Sequence, residues 1–219
     1  MKCFDKDYSS IYDFLYAKKN YNTETLFIKK IIKKYLSKPS HLMDLGCGTG
    51  QYSDLMTKLN LKVVGVDRSQ EMLKIARKKY YKNKNLSFIK AKIETINLKK
   101  KFDIISALFH ILSYHTSKTQ INNFFKKSHL HLNKNGILIF DFWYKKGVFN
   151  LQTPLRVREV NNQSYKIIRV TISEWEKKIN QIFDKHNLTI FNKKKKKITN
   201  FSETHKMRYF EIEYIKKKQ

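Results

Sequence analysis

Three of the chain's six glycines, Gly46, Gly48 and Gly50, fall within five residues, and an acid, Asp44, stands two residues before the first of them. A second acid, Asp67, follows 23 residues after Asp44, at the end of an apolar stretch. Glycine takes positive φ without penalty and lets a ligand approach the backbone closely. A carboxylate at the end of a second strand is placed to accept both hydroxyls of a ribose. The spacing Gly-x-Gly-x-Gly differs from the Gly-x-Gly-x-x-Gly of dinucleotide sites, where a helix N-terminus receives a pyrophosphate. Asp44 would repel a pyrophosphate and attract an amine or cation. The chemistry on offer is therefore a cradle for a ribose-bearing ligand with a positive group, not a dinucleotide.

The elements that must position these residues read off the chain in order. Tyr8, Tyr12 and Tyr16 recur at i, i+4 and i+8, which lines one helical face with phenols. A second helix is expected with Asn22 as its cap, Leu26, Phe27, Ile31, Ile32, Tyr35 and Leu36 as its apolar positions, and Pro39 beyond its end. A short strand, 41–45, runs straight into the glycines. Tyr52, Leu55, Met56 and Leu59 then carry helical spacing. The stretch 62–66 is a buried strand ended by Asp67, and Ser69 caps the helix that follows. Two more strands lie at 86–89 and 102–108. Ser117-Lys118-Thr119-Gln120 is a capping box. The most apolar strand of the chain, 137–142, comes next. Strands too apolar to have a wet face, alternating with helices, mean an α/β fold with a doubly wound, mostly parallel sheet.

After residue 150 the texture changes. Residues 165–172 and 180–190 are extended with partial alternation and read as antiparallel strands, with Lys193–Lys197 in a hairpin turn or on an edge. Met207, Phe210, Tyr214 and Ile215 have the spacing of a terminal helix. The domain reading is residues 1–146 as a ligand-binding domain with an N-terminal helical lid, and 147–219 as an antiparallel β extension with that helix.

Composition bounds the rest. The chain has 219 residues, 41% hydrophobic and 14% aromatic, which suits one globular domain with a small appendage. The formal net charge of +28 suggests nucleic acid at first sight. Yet six of the 46 basic residues are Arg, and the Lys are spread along the chain amid Asn, Ile, Tyr and Phe, as an AT-rich coding sequence would give. Solvated Lys faces are favoured over a dedicated polyanion site, and weak, salt-sensitive binding to nucleic acid is expected either way. Two cysteines exclude a disulfide framework and a Cys-based zinc finger, and no metal site is expected. The chain has no apolar run of membrane-spanning length and no apolar leader, so a cytoplasmic protein without a membrane partner is expected.

Four stretches together resemble the class I S-adenosylmethionine-dependent methyltransferases: 41–50 (HLMDLGCGTG), 64–73 (VGVDRSQEML), 101–110 (KFDIISALFH) and 132–144 (LNKNGILIFDFWY). The resemblance implies a Rossmann-like sheet and S-adenosyl-L-methionine as cofactor. It implies that Gly46, Cys47, Gly48 and Gly50 pack against the cofactor's amino-acid end, organised by Asp44. Asp67 would hold the ribose hydroxyls, with Arg68 beside it and Leu108 at the end of the fourth strand. An Asp commonly bonds the adenine amino group after the third strand. Lys92 stands there instead, leaving the backbone of Lys92 and Ile93 for that contact. Tyr8, Tyr12 and Tyr16 close over the cofactor, Tyr12 turning its ring to the sulfonium, or dock phenols onto the core, and the two roles are compatible.

Methyl transfer from a sulfonium is an in-line displacement helped by positioning and local electrostatics. It needs a base only where the acceptor must lose a proton. His110, just past the fourth strand, is either that base or a packing histidine; His115 is less well placed. The absence of Asn/Asp-Pro-Pro-Tyr and of a Pro-Cys pair argues against methylation of DNA bases. The 140–144 stretch with 203–209 resembles a branch whose antiparallel insertion follows strand five and whose acceptors are small polar molecules, such as amino sugars or amines. Glu203, His205 and Arg208 then line the acceptor pocket, or else form a hairpin ion-pair cluster. The family's closing strands are not found in the sequence. The alternatives kept open are an RNA or protein methyltransferase, drawing on the basic charge, and a shortened cofactor-binding or interaction protein without turnover.

Overall fold

The structure is a computed structural model, and it describes residues 4, 6–150, 154–161, 163–176, 180–194 and 196–210. The chain divides into two compact units. The described residues up to 18 and from 143 onward form one; those from 19 to 142 form the other. The first helix, α1 (Lys6–Leu15), belongs to the former.

The 19–142 unit is built on a parallel sheet. Its elements run α2 (Tyr21–Tyr35), β1 (His41–Leu45), α3 (Gln51–Thr57), β2 (Lys62–Asp67), α4 (Gln70–Lys79), β3 (Leu86–Lys90), β4 (Phe102–Ala107), a 3-10 turn at Ile111–Tyr114, α5 (Lys118–His131) and β5 (Leu132–Phe140). The strand order is β3-β2-β1-β4-β5, with every pair parallel. The order reverses between β1 and β4, and open α/β sheets bind ligands outside the carboxyl ends of the strands at such a switch point. Among the described residues this sheet has five strands, with β3 and β5 at its edges and no closing pair.

Local chemistry explains the boundaries. Ser69 accepts the Met72 N–H at 3.2 Å and opens α4. Ser117 and Gln120 form the expected capping box on α5. The cap of α2 lies two residues earlier than expected: Asn20, not Asn22, accepts the Thr23 N–H at 3.0 Å. Of the expected apolar positions of α2, Ile32 is buried and Ile31 and Leu36 pack against the core, whereas Leu26, Phe27 and Tyr35 are exposed and Thr25 and Ile28 complete the buried side. Ile28 and Ile32 pack with Leu42, Tyr52, Met56, Leu61, Val63, Ile104 and Ile139 into one core. An interior packing of aliphatic and aromatic side chains fixes the sheet against its helices and leaves the loops at the strand ends to carry chemistry.

The other unit is an antiparallel sheet with α1 on one face. Its elements after β5 are β6 (Trp143–Tyr144), α6 (Lys145–Asn150), β7 (Leu155–Asn161), β8 (Tyr165–Glu176), β9 (Gln181–Asn192) and β10 (Lys197–Phe210). The order is β6-β10-β9-β8-β7, antiparallel except for the two-residue parallel pairing of β6 with β10. The Lys193–Lys197 run falls at the turn between β9 and β10, with Lys195 outside the described residues.

Met207–Phe210 lies in β10, which corrects the expected helix there; residues 211–219, including Tyr214 and Ile215, lie outside the described residues. The alternation Glu203, His205, Met207, Tyr209 is buried, a period of two that the helical spacing of Met207 and Phe210 concealed. Tyr8, Ile11 and Leu15 of α1 pack on Ile167 and Leu188 of the sheet. The helix expected as a lid on the ligand-binding domain is thus part of the antiparallel unit, since its apolar face is buried there.

Candidate active site

β1 delivers Asp44 and then the glycine loop, and β2 delivers Asp67 beside it. The loop is made by three left-handed glycines, with φ of +71° at Gly46, +54° at Gly48 and +81° at Gly50. The N–H groups of Gly46 and Cys47 both donate to Val66 O, at 2.7 and 3.0 Å, which ties the loop to the end of β2. A Cβ at Gly46 would run into Ile111, whereas one at Gly48 would meet nothing within 4 Å. The loop is therefore closed on its protein side at Gly46 and open at Gly48, the shape needed for a ligand to lie against the backbone.

Asp44 is almost wholly buried beneath this loop. Ser53 donates to its Oδ2 at 2.6 Å and Ser106 to its Oδ1 at 2.8 Å. Burial outweighs these two hydrogen bonds and, with the nearby Asp67, raises its pKa from 3.8 to about 6. Asp67 receives the Gly48 N–H on Oδ2 at 2.8 Å and the Ser69 N–H on Oδ1 at 2.7 Å. Its pKa is also raised, by burial, against the pull of those two N–H groups and of Arg68. Burial and the charges of Asp67 and Asp44 push the Cys47 thiol well up, so it keeps its proton. Two acids raised by burial beside a left-handed loop at the strand ends mark a candidate functional site.

The other expected cofactor residues take up positions around this centre. Arg68 is exposed next to Asp67, and Lys92 is exposed after β3, with Ile93 half-buried. The Ala91 N–H donates to Asp67 O at 3.0 Å, which carries the chain past the end of β2. Leu108 packs against the unit's core. Beyond it, Phe109 and His110 are both left-handed, with φ of +66° and +63°. His110 Nδ1 lies 3.7 Å from Asp141 Oδ2. Burial lowers the His110 pKa, Asp141 and Glu24 raise it and Lys19 lowers it further. His115 is buried with Nε2 3.7 Å from Glu94 Oε1 and Nδ1 3.1 Å from Ile111 O, a structural placement.

The remaining expected residues lie in the antiparallel unit. Tyr8 is fully buried, and Arg169 donates to the hydroxyls of Tyr8 at 3.3 Å and Tyr16 at 3.2 Å. The ring of Tyr12 lies 4.8 Å from that of Tyr16. These phenols dock on the core of the antiparallel unit, a role that is compatible with the cofactor role expected of the same face. Glu203 and His205 are buried as well: Glu203 Oε1 accepts the Phe4 N–H and lies 3.0 Å from His205 Nε2. His186 joins them, its ring 4.6 Å from that of His205 and its Nδ1 2.8 Å from Thr171 Oγ1. Arg208 is half-buried, its guanidinium 5.8 Å from the Phe210 ring centre. Glu203, His205 and His186 thus form a buried side-chain cluster on the antiparallel sheet.

Sequence reasoning missed four groups in the 19–142 unit. Ser53 and Ser106 hold Asp44, and a serine facing an acid from another element leaves no sequence signal. Asp141 was visible only as a lone acid in the most apolar strand. Lys19 is one lysine among many in the sequence, yet its ammonium lies 4.5 Å from the Phe109 ring centre, 5.4 Å from that of Tyr21 and 5.7 Å from that of Tyr52. Among the described residues, no cluster of His, Cys, Asp and Glu could hold a metal ion, and no helix is long and apolar enough to cross a membrane.

Comparison with known proteins bears on this geometry. Residues 42–136, the stretch from β1 into β5, match the family described as a methyltransferase domain. A putative methyltransferase of Bacillus subtilis, YqeM, is 25% identical over 217 residues, covering 94% of this chain and 80% of that protein. The dTDP-3-amino-3,4,6-trideoxy-alpha-D-glucopyranose N,N-dimethyltransferase of Streptomyces venezuelae is 22% identical over 207 residues, 86% of each chain. The crystal structure of Streptomyces venezuelae DesVI shares the fold at a TM-score of 0.85 and 20% identity, over 98% of this chain and 89% of that one. The left-handed glycine loop, with Asp44 buried beneath it and Asp67 half-buried at its side, lies at the switch point of a five-stranded parallel sheet, inside the 42–136 stretch that is similar to the methyltransferase-domain family, whose activity takes S-adenosylmethionine as methyl donor.

Proposed function

We propose that the chain transfers a methyl group to the amine nitrogen of a small polar molecule, an amino sugar being the acceptor class. The observation that carries the cofactor half of this reading is the Asp44–Gly48–Asp67 arrangement. The buried carboxylate of Asp44 suits the cofactor's ammonium, the open backbone at Gly48 suits its amino-acid end, and Asp67 suits the ribose hydroxyls. With Lys92 in place of an acid, adenine is left to the backbone at Lys92 and Ile93. The acceptor half is supported by the match to an amino-sugar N,N-dimethyltransferase along 86% of both chains, a span longer than the 19–142 unit alone.

When bound, the cofactor supplies a methyl group already activated by its sulfonium. What remains for the protein is to hold donor and acceptor in line and to take up one proton. His110 is the group for that proton, because burial keeps its imidazole neutral and able to accept. The acceptor nitrogen forms its bond to the methyl carbon as the carbon–sulfur bond breaks. The proton it sheds passes to His110.

The test begins with calorimetric titration of the full chain with S-adenosylmethionine and S-adenosylhomocysteine. Micromolar binding of both supports the site. Radiolabelled methyl transfer is then compared for a dTDP-amino sugar, simple amines and total RNA. Incorporation into RNA alone would overturn the acceptor assignment, and binding without transfer to any of them would favour an interaction protein.

A further inference from the structure

We propose that Asp141 is the positioning residue for His110: it fixes the left-handed turn at the end of β4 and holds the imidazole beside a carboxylate, so that the base is pre-set and its proton affinity raised. This rests on the reading of His110 as the proton acceptor. The observations are geometric. Asp141 follows β5 immediately, and β5 pairs with β4 in parallel through Ile105↔Leu138, Ser106↔Ile139 and Ala107↔Phe140. That register brings the residue after Phe140 level with the residues after Ala107, where the turn begins. There Asp141 Oδ1 accepts the His110 N–H at 2.6 Å, and Oδ2 accepts the Phe109 N–H at 3.2 Å.

Phe109 and His110 are two consecutive non-glycine residues at positive φ, a backbone state that persists only where the surroundings enforce it and that gathers at functional sites. The carboxylate is what enforces it: both otherwise awkward N–H groups point into one charged acceptor. The same carboxylate then lies 3.7 Å from His110 Nδ1, the relationship of an orienting acid to a catalytic base. Lys19 and Glu24 also act on the ring and are themselves paired at 2.5 Å, so their opposing effects on His110 largely offset, and Asp141 is the main charge that works against the lowering by burial. The pair is partly open, with side-chain exposures of 38% for His110 and 44% for Asp141, which leaves the base reachable by an acceptor.

The experiment is an NMR pH titration of the full chain with isotope-labelled histidine, the His110 signal being the one lost in His110→Gln. Asp141→Asn and Asp141→Ser each keep an acceptor for the turn and remove the charge, so whichever folds gives the same readout. The expected result is a His110 midpoint lower by about 0.5–1 pH unit, a three- to tenfold weaker hold on the proton. Asp141→Glu is expected to restore most of it. An unchanged midpoint in a folded variant that still binds S-adenosylhomocysteine would overturn the proposal, since a merely structural Asp141 would not move it. Full methyl transfer by His110→Gln is a separate outcome. It would remove the base reading, and the proposal with it, whatever the titration gives.

Discussion

The Gly48 N–H donates to Oδ2 of Asp67 across 2.8 Å, so the carboxylate placed for a ribose also holds the middle of the glycine loop. Loop and acid are one device, with Ser69 N–H as its third member at 2.7 Å. Replacing Asp67 with Ala removes a charge-assisted acceptor and frees two backbone donors at once. The expected outcome is a rise of tenfold or more in the Kd for S-adenosylmethionine by calorimetry. Unchanged affinity would mean that the ribose lies elsewhere.

Asp44 makes an opposite trade between stability and function. Its folded pKa of about 6 lies above the ordinary 3.8, so the folded chain holds the proton more tightly than the unfolded chain does. As pH rises from about 4 to about 6 the unfolded state ionises first, and stability falls by about 3 kcal/mol. Asp44→Asn keeps hydrogen bonds to Ser53 and Ser106 without the buried charge. It should melt higher than the natural chain at pH 8 and equal it near pH 4, while binding the cofactor's ammonium less well. Equal melting of the two proteins at both pH values would show that the charge is not strained.

The glycines separate packing from ligand approach. Gly46→Ala faces both the left-handed backbone penalty, about 1–2 kcal/mol, and collision with Ile111. Gly48→Ala faces only the first, because the space around it is open. Thermal unfolding should therefore drop well below the natural chain for Gly46→Ala and modestly for Gly48→Ala. Cofactor affinity should fall in both. A Gly48→Ala protein with natural affinity would place the cofactor away from that opening.

These residues were legible in sequence because their constraints are local. A positive φ demands glycine, a strand end followed by a helix demands a cap, and both leave a mark within a few positions, as at Gly46–Gly50, Ser69 and Ser117–Gln120. Asp141 left no such mark, since its partners lie 31 and 32 residues away and are backbone N–H groups of Phe109 and His110. The Tyr8/Tyr12/Tyr16 face was visible as a face, but amphipathicity names no partner, and the partner is the antiparallel sheet. Met207 and Phe210 fit two periods at once, and the sheet pairing along Lys197–Arg208 decided for the strand. Asn20 and Asn22 flank the same helix start; only the one whose side chain reaches Thr23 N–H caps it.

The antiparallel unit should yield to mild acid before the parallel one, through His186. Burial, aided by His205, Arg169 and Arg156, lowers its pKa from 6.5 to about 2. The unfolded chain therefore takes up a proton below pH 6.5 that the folded chain refuses. The stability this group contributes is complete above pH 6.5 and is lost as pH falls, by about 2 kcal/mol at pH 5. Both tryptophans of the chain, Trp143 and Trp175, lie in this unit, so fluorescence reports on it alone. Denaturant unfolding followed by that signal should lose midpoint between pH 7 and pH 5. His186→Gln, which cannot charge, should start lower at pH 7 for want of its packing on Tyr8 and then lose less over the same interval. Equal losses in both proteins would assign the acid sensitivity to other groups of the cluster.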